Sequence, residues 1–510
     1  MGKGYRFWDS PFPLSEVERF NRVLKEKGVE AALEVVSRPQ WVVRSALDIS
    51  RGMWLHFFRR YLGRRCVDLG CGFGVLTRYL ADMVDEVYGV DVTPQRVETL
   101  RILEPRVRAI VGGIMEADLP ENYFDSALLI GVLEWVGDSY RDGSVEKVQI
   151  RVLRRIRSLL RSGGVLIIGI ENRFGSHYIK GRKDHTRTRY TSLMPRMLAD
   201  MFCRVKKKRP YRTYTYTRRG YVRLLRAAGF NHFRFYATIP DYRYPRRIFS
   251  YDKDPTNLLR FFVPAFFIIA SPQPLPPPAF SSFLRTKTHA LLFSNSHVLK
   301  IGGDTTRAYE NQKRWLAVNT PSHLRTPKTE LTRDGLLQTR IYGKRWQNHP
   351  RLARRCLQQI VEDVLNYRIV GERTSTNRLR LTKPIPFAFC HNDMKPKNIL
   401  SASDGIYLFD FDLAGEGPIT RDAFYLVIRL EAPRYDRIGE AISALHSRKA
   451  ATSWVVDIFC KKFGFDRRVE LQLLVDAALA GCSPHDIPRL VAVLKSHIDL
   501  SGLSLAIEEG

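Results

Sequence analysis

The chain has 510 residues, 44% of them hydrophobic and 11% aromatic, which predicts two to four folded domains and argues against a disordered protein. Its formal net charge of +30 favours anionic partners such as nucleic acid, acidic lipid or a phosphorylated glycan, although a generally basic surface would give the same value. Seven cysteines form neither a CxxC pair nor a Cys/His zinc spacing, which is typical of free thiols in a reducing cytosol.

The first 62 residues are predicted to be helical. Apolar residues recur at three- and four-residue spacing in VERFNRVLKEKGVEAALEVV, as on one face of a helix. Such helices would pack over the next domain or cover a substrate cleft. No long apolar run opens the chain, so a secretory signal is not expected. The most apolar stretch, 261–270, contains Pro264 and is too short to span a bilayer, so no transmembrane segment is predicted.

A glycine-rich loop follows the first predicted strand. The apolar strand 66–69 leads into Gly-Cys-Gly-Phe-Gly at 70–74, and a helix is predicted from Val75. Glycines let the backbone turn tightly and approach a ligand, while a helix N-terminus offers free N–H groups. A second strand ends at Asp91, about 20 residues further on, where an acid can bind ribose hydroxyls. The valine at position 75 breaks the dinucleotide fingerprint G-x-G-x-x-G.

The pattern D-x-G-x-G-x-G resembles that of the class I S-adenosylmethionine-dependent methyltransferases. The segment FDSALLIGVLEW from Phe124 looks like the fourth strand of that family and its loop, and RSGGVLIIGI from Arg161 looks like the turn into the fifth. The resemblance covers roughly 45–270 and implies an α/β fold with a Rossmann-like, doubly wound sheet. Ile114 stands where the family often has an acid for the adenine. The implied S-adenosylmethionine-binding residues are Asp68, Gly70, Cys71, Gly72, Gly74, Asp91, Met115 and Gly131.

The methyl acceptor is expected beside the carboxyl ends of these strands. The segment ENR at 171–173, with the following RFGSHYIKGRKDH, resembles a subgroup of bacterial methyltransferases found with surface-polysaccharide genes. Glu171 and Asn172 would serve equally well as helix caps or loop hydrogen bonds, and His177 and His185 are weaker candidates for a base. The predicted acceptor-side residues are Glu134, Trp135, Glu171, Asn172 and Arg173.

A basic stretch occupies 180–260, where Lys and Arg outnumber Asp and Glu roughly four to one. Cations alternate with tyrosines in RVKKKRPYRTYTYTRR at 204–219, which suits a phosphate backbone with stacked bases, an anionic membrane surface, or a merely solvated face. No RNA-binding signature accompanies the charges. Nucleic acid is therefore the less favoured of the two anionic partners.

A proline-rich segment, SPQPLPPPAFSS, predicts an extended connector. The predicted domains are a helical segment at 1–62, a methyltransferase domain at 63–270, the connector at 271–282 and a last domain at 283–510.

Residues 388–415 contain the densest set of chemical groups in the chain. His391-x-Asp393-x-x-x-x-Asn398 is followed by an apolar strand and then by Asp410-Phe411-Asp412. Phosphoryl transfer needs a carboxylate that orients the acceptor hydroxyl, and an Asn and a second Asp that hold magnesium against the phosphates. These groups occur here in the kinase order. Upstream, Lys300 lies on a predicted strand.

The motifs CHND, NIL and DFDLAG resemble the aminoglycoside-phosphotransferase and choline-kinase-like group, a two-lobed protein-kinase-like α+β fold. The resemblance covers about 283–510. It implies that Asp393 and Lys395 are catalytic, that Lys300 binds ATP and is braced by Glu310 on the next helix, and that two residues hold Mg²⁺. No glycine-rich loop precedes this lysine. The predicted hairpin before it has the sequence FSNS, at 293–296. The implied metal ligands are Asn398 and Asp410.

The two halves together resemble the methyltransferase–kinases that cap bacterial O-antigen glycans. The leading hypothesis is a bifunctional cytoplasmic enzyme, at most peripheral at the inner membrane face, which uses S-adenosylmethionine, ATP and Mg²⁺ on a sugar, glycan or phosphoglycan in surface-polysaccharide biosynthesis. The alternative is a methyltransferase that acts on RNA, or on a small molecule other than a sugar, with a regulatory or pseudokinase C-terminal domain.

Overall fold

The computed structural model describes residues 13–251, 261–286, 288–348, 350–480, 482 and 486–499. The chain divides into two compact units, 1–295 and 296–510. The sequence analysis begins the last domain at residue 283. The structural division instead assigns the strands at 282–285 and 290–293 to the first unit.

The first unit begins with helices α1 (Leu14–Glu34) and α2 (Gln40–Leu47) and a 3-10 helix at Ile49–Tyr61. Gly28, at φ 83°, interrupts α1 with a kink. The apolar stripe of α1 is buried in a cluster that also contains Phe73 of the glycine-rich loop. The N-terminal helices therefore pack next to the predicted cofactor loop.

In the first unit, strands alternate with helices along the chain, and antiparallel strands follow. All of these strands belong to one sheet. Its strands are β1 (Arg65–Leu69), β2 (Glu86–Asp91), β3 (Arg108–Val111), β4 (Phe124–Ile130), β5 (Leu160–Glu171), β6 (His232–Ile239), β7 (Arg247–Ser250), β8 (Ala265–Ser271), β9 (Ser282–Arg285) and β10 (Ala290–Phe293). Its further helices are α3 (Val75–Ala81), α4 (Pro94–Leu103), α5 (Val136–Ser139), α6 (Val145–Leu159), α7 (Ser176–Ile179), α8 (Arg196–Lys207) and α9 (Arg218–Ala227).

The strand order begins β3-β2-β1-β4-β5, all parallel, and continues with β8, β6, β7, β9 and β10, each antiparallel to its neighbour. The order reverses between β1 and β4. In open α/β sheets, ligands bind at the carboxyl ends of the strands beside such a reversal. This arrangement confirms the predicted Rossmann-like α/β sheet and positions the glycine-rich loop after β1 next to the loop after β4.

The second unit combines small antiparallel sheets with a helical region. Its strands are β11 (His297–Ile301), β12 (Leu324–Arg325), β13 (Thr329–Thr332), β14 (Gly335–Thr339), β15 (Ile369–Ser375), β16 (Arg380–Cys390), β17 (Ile399–Ala402), β18 (Gly405–Leu408) and β19 (Gly415–Pro418). Its helices are α10 (Thr305–Asn319), α11 (Pro350–Leu365), α12 (Arg421–Glu431), α13 (Ile438–His446), α14 (Ser453–Phe463), α15 (Arg467–Ala480) and α16 (Ile487–Lys495).

Within this unit β11, β14 and β13 form one antiparallel sheet, and α10 follows β11. The hairpin β17–β18 carries the catalytic-loop motif at its start and the Asp-Phe-Asp motif at its end. Residues 421–428 of α12 are all buried, at the centre of the helical region. The predicted α+β, kinase-like class is therefore confirmed.

In the part of the chain that the structure describes, no helix is both long enough and apolar enough to cross a bilayer.

Candidate active sites

The loop after β1 is shaped by three glycines with positive φ: 83° at Gly70, 58° at Gly72 and 75° at Gly74. A Cβ on Gly70 would lie 2.4 Å from Val132, and one on Gly74 would lie 2.3 Å from Leu100. A Cβ on Gly72 would meet no described atom within 4 Å. Two of the glycines therefore allow close packing, and Gly72 leaves open space where a ligand can approach the backbone, as the predicted cofactor requires.

A cavity of about 220 Å³ opens at this loop. Asp68, Gly70, Cys71, Gly72 and Gly131 line it, all of them predicted from sequence. Six further lining residues come from other segments and carry no local motif: Ala46, Arg51, Trp54, Arg96, Tyr242 and Arg243.

The remaining predicted cofactor residues lie around the cavity without lining it. Asp91 supports the loop, because its carboxylate accepts from the backbone N–H of Gly72 (3.0 Å) and of Thr93 (2.9 Å). The side chain of Met115 packs on the sheet core, and its N–H donates to the hydroxyl of Tyr140.

Asp68 is a buried carboxyl group on the cavity wall. Its Oδ2 accepts a hydrogen bond from the Thr77 hydroxyl at 2.7 Å. Burial raises the pKa of Asp68 to about 7, and the charge of Asp91 adds to the shift, while the bond from Thr77 opposes it. The carboxyl group therefore changes its charge near neutral pH.

A second cavity in the same unit, of about 130 Å³, lies where the sequence predicts the methyl acceptor. Arg243 lines both cavities. Of the predicted acceptor-side residues, Trp135 and Glu171 line this one. The rest of the lining is strongly charged and consists of His177, Tyr178, Arg182, Lys183, Asp184, His185, Arg187 and Arg243.

His185 lies between two buried carboxylates. Its Nε2 is 3.5 Å from Oε1 of Glu134 and 3.7 Å from Oε1 of Glu171. Burial alone lowers the pKa of His185, but the two carboxylates outweigh it and raise the pKa to about 9. In contrast, burial and the charge of Arg182 lower the pKa of His177 to about 4. At neutral pH His185 is therefore protonated and His177 is neutral.

Asn172 and Arg173 lie beside this cavity but bind the protein backbone. The Asn172 amide donates to the carbonyl oxygens of Phe261 (2.7 Å) and Val263 (3.0 Å). The Arg173 guanidinium donates to the carbonyl oxygens of Ser192 and Met194. The contacts of Asn172 match the loop-bonding alternative. Those of Arg173 hold the connection between α7 and α8, which carries His185.

The tyrosines of the basic stretch are packed inside the first unit. Tyr211 and Tyr216 are buried, and Tyr214 is half-buried. The guanidinium of Arg196 lies 4.0 Å from the ring centroid of Tyr214 and within 6 Å of the other two. These rings do not form an exposed platform on which bases would stack.

In the second unit the structure brings together three of the residues named from the catalytic-loop motif: Asp393, Lys395 and Asn398. The Asn398 amide donates to both the carbonyl oxygen and Oδ2 of Asp393, each at 3.0 Å, which leaves its own oxygen as a ligand atom. Lys395 forms an ion pair with the Asp393 carboxylate. The Phe409 N–H donates to the Asn398 carbonyl oxygen at 2.9 Å, so Asp410 directly follows a residue bonded to the loop. Carboxylate and amide oxygens fit Mg²⁺.

His391 fastens this loop. Its Nε2 donates to the carbonyl oxygen of Phe409 (2.9 Å), and its Nδ1 accepts from the Asp393 N–H (3.3 Å). The buried Asp422 accepts from the backbone N–H groups of His391 and Asn392. Sequence reasoning missed Asp422, which lies outside the motif.

Lys300 is buried on β11 and binds the Asp-Phe-Asp motif. Its ammonium is 2.8 Å from Oδ1 of Asp410 and 2.6 Å from Oδ1 of Asp412. Burial lowers the pKa of Lys300, but the two carboxylates outweigh it, so the pKa is raised.

The predicted brace of this lysine, Glu310, is exposed on α10, and the structure does not bring it to Lys300. The neighbouring Asn311 faces the motif instead, and its amide donates to the carbonyl oxygen of Phe411. Adjacent helix positions face directions about 100° apart, so the residue that reaches the motif follows from the rotation of the helix.

Fold and sites together define two transferase-type domains in one chain. Residues 67–168 match the family model described as a methyltransferase domain, and residues 322–453 match that of the phosphotransferase enzyme family. The chain therefore carries a methyltransferase domain and a phosphotransferase-family domain.

Curated relatives align with part of the first unit. An uncharacterized methyltransferase of Mycobacterium tuberculosis is 31% identical over 103 residues, which are 20% of this chain and 38% of the relative. The ubiquinone biosynthesis O-methyltransferase of Stutzerimonas stutzeri is 29% identical over 126 residues, 24% of this chain and 50% of the relative. The chain thus spans half or less of the length of these relatives.

Among solved structures, a SAM-dependent methyltransferase of Thermotoga maritima aligns with 50% of this chain and 100% of its own, at 17% identity and a TM-score of 0.29.

Proposed function

We propose that the chain is a bifunctional transferase. Its second unit phosphorylates a sugar or glycan hydroxyl with Mg²⁺-ATP, and its first unit methylates the phosphorylated acceptor with S-adenosylmethionine. The site in each unit supports one of the two reactions, and the charge of the acceptor cavity supports their order.

The observation that carries this proposal is the cationic lining of the acceptor cavity. Arg182, Lys183, Arg187 and Arg243 outnumber the acids on its wall, Glu171 and Asp184. Guanidinium groups bind phosphate oxygens with paired hydrogen bonds, so such a lining favours a phosphate-bearing acceptor over a neutral sugar. Because Arg243 also lines the predicted cofactor cavity, an oxygen held there would face the methyl donor.

A phosphate acceptor also fits the chemistry of the first unit. The cofactor supplies an electrophilic methyl group, and the transfer is an in-line displacement that depends mainly on positioning. A phosphate monoester is ionised at neutral pH, since its second pKa is about 6, and its oxygen needs no base to become a nucleophile. In this scheme Asp68 and Asp91 hold the cofactor, and the cavity arginines hold the acceptor.

The second unit would supply the phosphate. Asp393 would orient the acceptor hydroxyl, and Lys395, which pairs with it, would reach the transferred group. Asn398 and Asp410 would hold Mg²⁺, which neutralises charge on the phosphates, and Lys300 would bind the nucleotide. The resemblance to O-antigen-capping enzymes supports a glycan acceptor in surface-polysaccharide biosynthesis, where a methyl phosphate would leave no hydroxyl for extension.

The test compares one oligosaccharide with and without a terminal phosphate, with labelled S-adenosylmethionine and the full chain. We expect methylation of the phosphorylated form without ATP, and of the unphosphorylated form only with Mg²⁺-ATP. Asp393→Ala should abolish the second reaction and spare the first.

Equal methylation of both forms without ATP would contradict the proposed order. Binding of Mg²⁺-ATP without phosphoryl transfer would favour a regulatory second unit. Methylation of RNA, with strongly salt-dependent binding, would favour the nucleic-acid alternative.

A further inference from the structure

We propose that the first unit binds a divalent transition-metal ion between Glu134, Glu171 and His185. The site would lie at the acceptor cavity, so its role in holding an acceptor oxygen rests on the proposed function. Its existence can be tested separately.

The three side chains come from separate segments that the fold brings together. Glu134 follows β4, Glu171 ends the neighbouring strand β5, and His185 belongs to the connection between α7 and α8. One ligand atom from each lies within 4.8 Å of the other two. The separations of 3.5 and 3.7 Å from His185 Nε2 exceed hydrogen-bond length. They are close to the roughly 3.4 Å between donors around a tetrahedral ion with bonds of about 2.1 Å.

Two buried carboxylate oxygens point to a missing partner. Oε2 of Glu134 and Oε2 of Glu171 are shielded from solvent, and neither has a hydrogen-bond partner within the described ranges. The side chain of Glu134 is fully buried, and its other oxygen accepts a long bond, 3.4 Å, from the Tyr242 hydroxyl and lies 3.5 Å from His185 Nε2. Buried carboxylate oxygens without a hydrogen-bond partner are costly. A divalent ion that displaces the proton of His185 would engage these oxygens and the imidazole nitrogen together.

The donor set indicates the class of ion. One imidazole nitrogen and two carboxylate oxygens suit Zn²⁺ or Mn²⁺ better than the all-oxygen sites of Mg²⁺ and Ca²⁺. Glu171 and His185 line the acceptor cavity, so positions not taken by protein would face it. The ion would thus give the cavity a second means, besides its arginines, of binding an anionic oxygen.

The experiment uses the full chain carrying Asp410→Asn, which weakens the separate Mg²⁺ site predicted in the second unit. The protein is dialysed against Zn²⁺ or Mn²⁺ without cofactor or acceptor, and bound metal is counted by elemental analysis. We expect about one equivalent, with at least tenfold weaker binding after Glu134→Gln or His185→Ala. Glu146→Gln is the matched control, because Glu146 lies on α6 and pairs with Arg223 outside the cavity.

A spectroscopic readout separates metal loss from misfolding. The Trp135 ring lies 4.7 Å from the His185 ring, so Co²⁺ in the site should quench its fluorescence, and Trp135→Phe should lose that quenching while retaining the metal. Circular dichroism checks the fold of each variant. The same metal content in Glu134→Gln, His185→Ala and their parent, or no bound metal in the parent, would overturn the proposal without bearing on methyl transfer.

A second observation, independent of this site, concerns the surface of α8. Met197, Met201 and Val205 are spaced by four residues on one face and are 75%, 57% and 75% exposed, and Leu198 beside them is 50% exposed. The opposite face holds the buried Ala199 and Cys203. The helix therefore anchors by one face and presents large apolar side chains on another.

We infer that this face binds an anionic bilayer surface. Arg204, Lys206, Lys207 and Lys208 are exposed at the same end of the helix, whose one acid, Asp200, pairs with Arg204. An amphipathic helix with apolar residues flanked by cations lies in the headgroup region, where anionic lipid attracts each nearby cation. The charges select an acidic membrane over an uncharged apolar partner.

Sedimentation with vesicles of phosphatidylcholine, with or without phosphatidylglycerol, tests the inference. We expect binding only to the anionic vesicles, weakened by salt and reduced at least tenfold by Met201→Glu with Val205→Glu. Leu331→Glu, at a 40%-exposed position on β13, is the control and should bind like the parent. Equal binding of the variant and the control would overturn the inference, as would loss of a dimer in the variant, which would assign the face to a second copy of the chain.

Discussion

The protonation of the Asp68 carboxyl group is expected to depend on cofactor binding, because this group lines the predicted cofactor cavity. Its folded-state pKa of about 7 lies above the ordinary value of 3.8. Because the folded protein holds this proton more tightly than the unfolded chain, the contribution of Asp68 to the free energy of unfolding falls as pH rises from about 4 to about 7. A bound cofactor ammonium would favour the ionised form and oppose this loss.

We therefore predict that S-adenosylmethionine binds several-fold more tightly at pH 7.5 than at pH 6, since the ionised fraction of Asp68 rises over that interval. Asp68→Asn should bind weakly at both pH values. Isothermal titration calorimetry measures both proteins, and the same pH dependence in the variant would exclude Asp68 as the titrating group.

An alanine at Gly72 would have two effects: it would occupy ligand space, and it would strain the backbone. Gly72→Ala should weaken cofactor binding at least tenfold, because the new methyl group would project into the cavity. The strain of a left-handed alanine costs only about 1–2 kcal/mol of stability. Gly143, with φ 98° and an equally open Cβ position, is the control. Gly143→Ala should show a similar loss in denaturant titration and unchanged binding.

Two helices of the second unit are joined by a buried ion pair. The Arg421 guanidinium on α12 donates to both carboxylate oxygens of Asp476 on α15, at 2.9 and 3.1 Å, and to the side chain of Asn392 at 3.2 Å. The pair thus connects the helical region to the catalytic loop.

Arg421→Met should lower the free energy of unfolding by about 3–5 kcal/mol, because it leaves the Asp476 carboxylate buried without a partner. The double variant Arg421→Met with Asp476→Leu should recover most of that loss. Urea denaturation measures both. An equal loss in the double variant would show that packing of the arginine, and not its charge, supports the helices.

The sequence predicts well those elements whose functional residues are close together along the chain. Strand, glycine-rich loop and helix around Gly72 form one local unit, and so do the loop and hairpin that carry Asp393 and Asp410. Periodicity and turn chemistry decide such units without knowledge of the rest of the fold.

Residues brought in by tertiary packing left no comparable signal. Tyr242 and Arg243 reach the cavities from the turn after β6. His185 reaches two carboxylates through a connection that Arg173 holds. The rotation of α10, which turns Asn311 and not Glu310 to the Asp-Phe-Asp motif, depends on packing that no local pattern encodes.

At the scale of the whole molecule, the two sites lie in separate compact units, so their ligands should stabilise the protein independently. A ligand at a hundred times its Kd adds about 2.7 kcal/mol to the unit that binds it. We predict that Gly72→Ala removes the thermal shift caused by S-adenosylhomocysteine and keeps that caused by Mg²⁺-ATP, and that Asp410→Asn does the reverse. Differential scanning calorimetry measures the shifts; loss of both in either variant would contradict independence.

The contact of Lys300 with Asp410 and Asp412 bears on the stability of the second unit when no metal ion is bound. An ammonium between the two acids relieves their mutual repulsion, so the fold does not need a magnesium ion to keep them together. We predict that excess EDTA leaves the unfolding temperature unchanged in Glu134→Gln, which lacks the metal site proposed in the first unit, whereas Lys300→Met added to that variant makes it chelator-sensitive, as thermal melts would show. Equal sensitivity of both proteins would exclude this role. We expect the lysine to act as a counter-ion that holds the two carboxylates in position before metal and nucleotide bind.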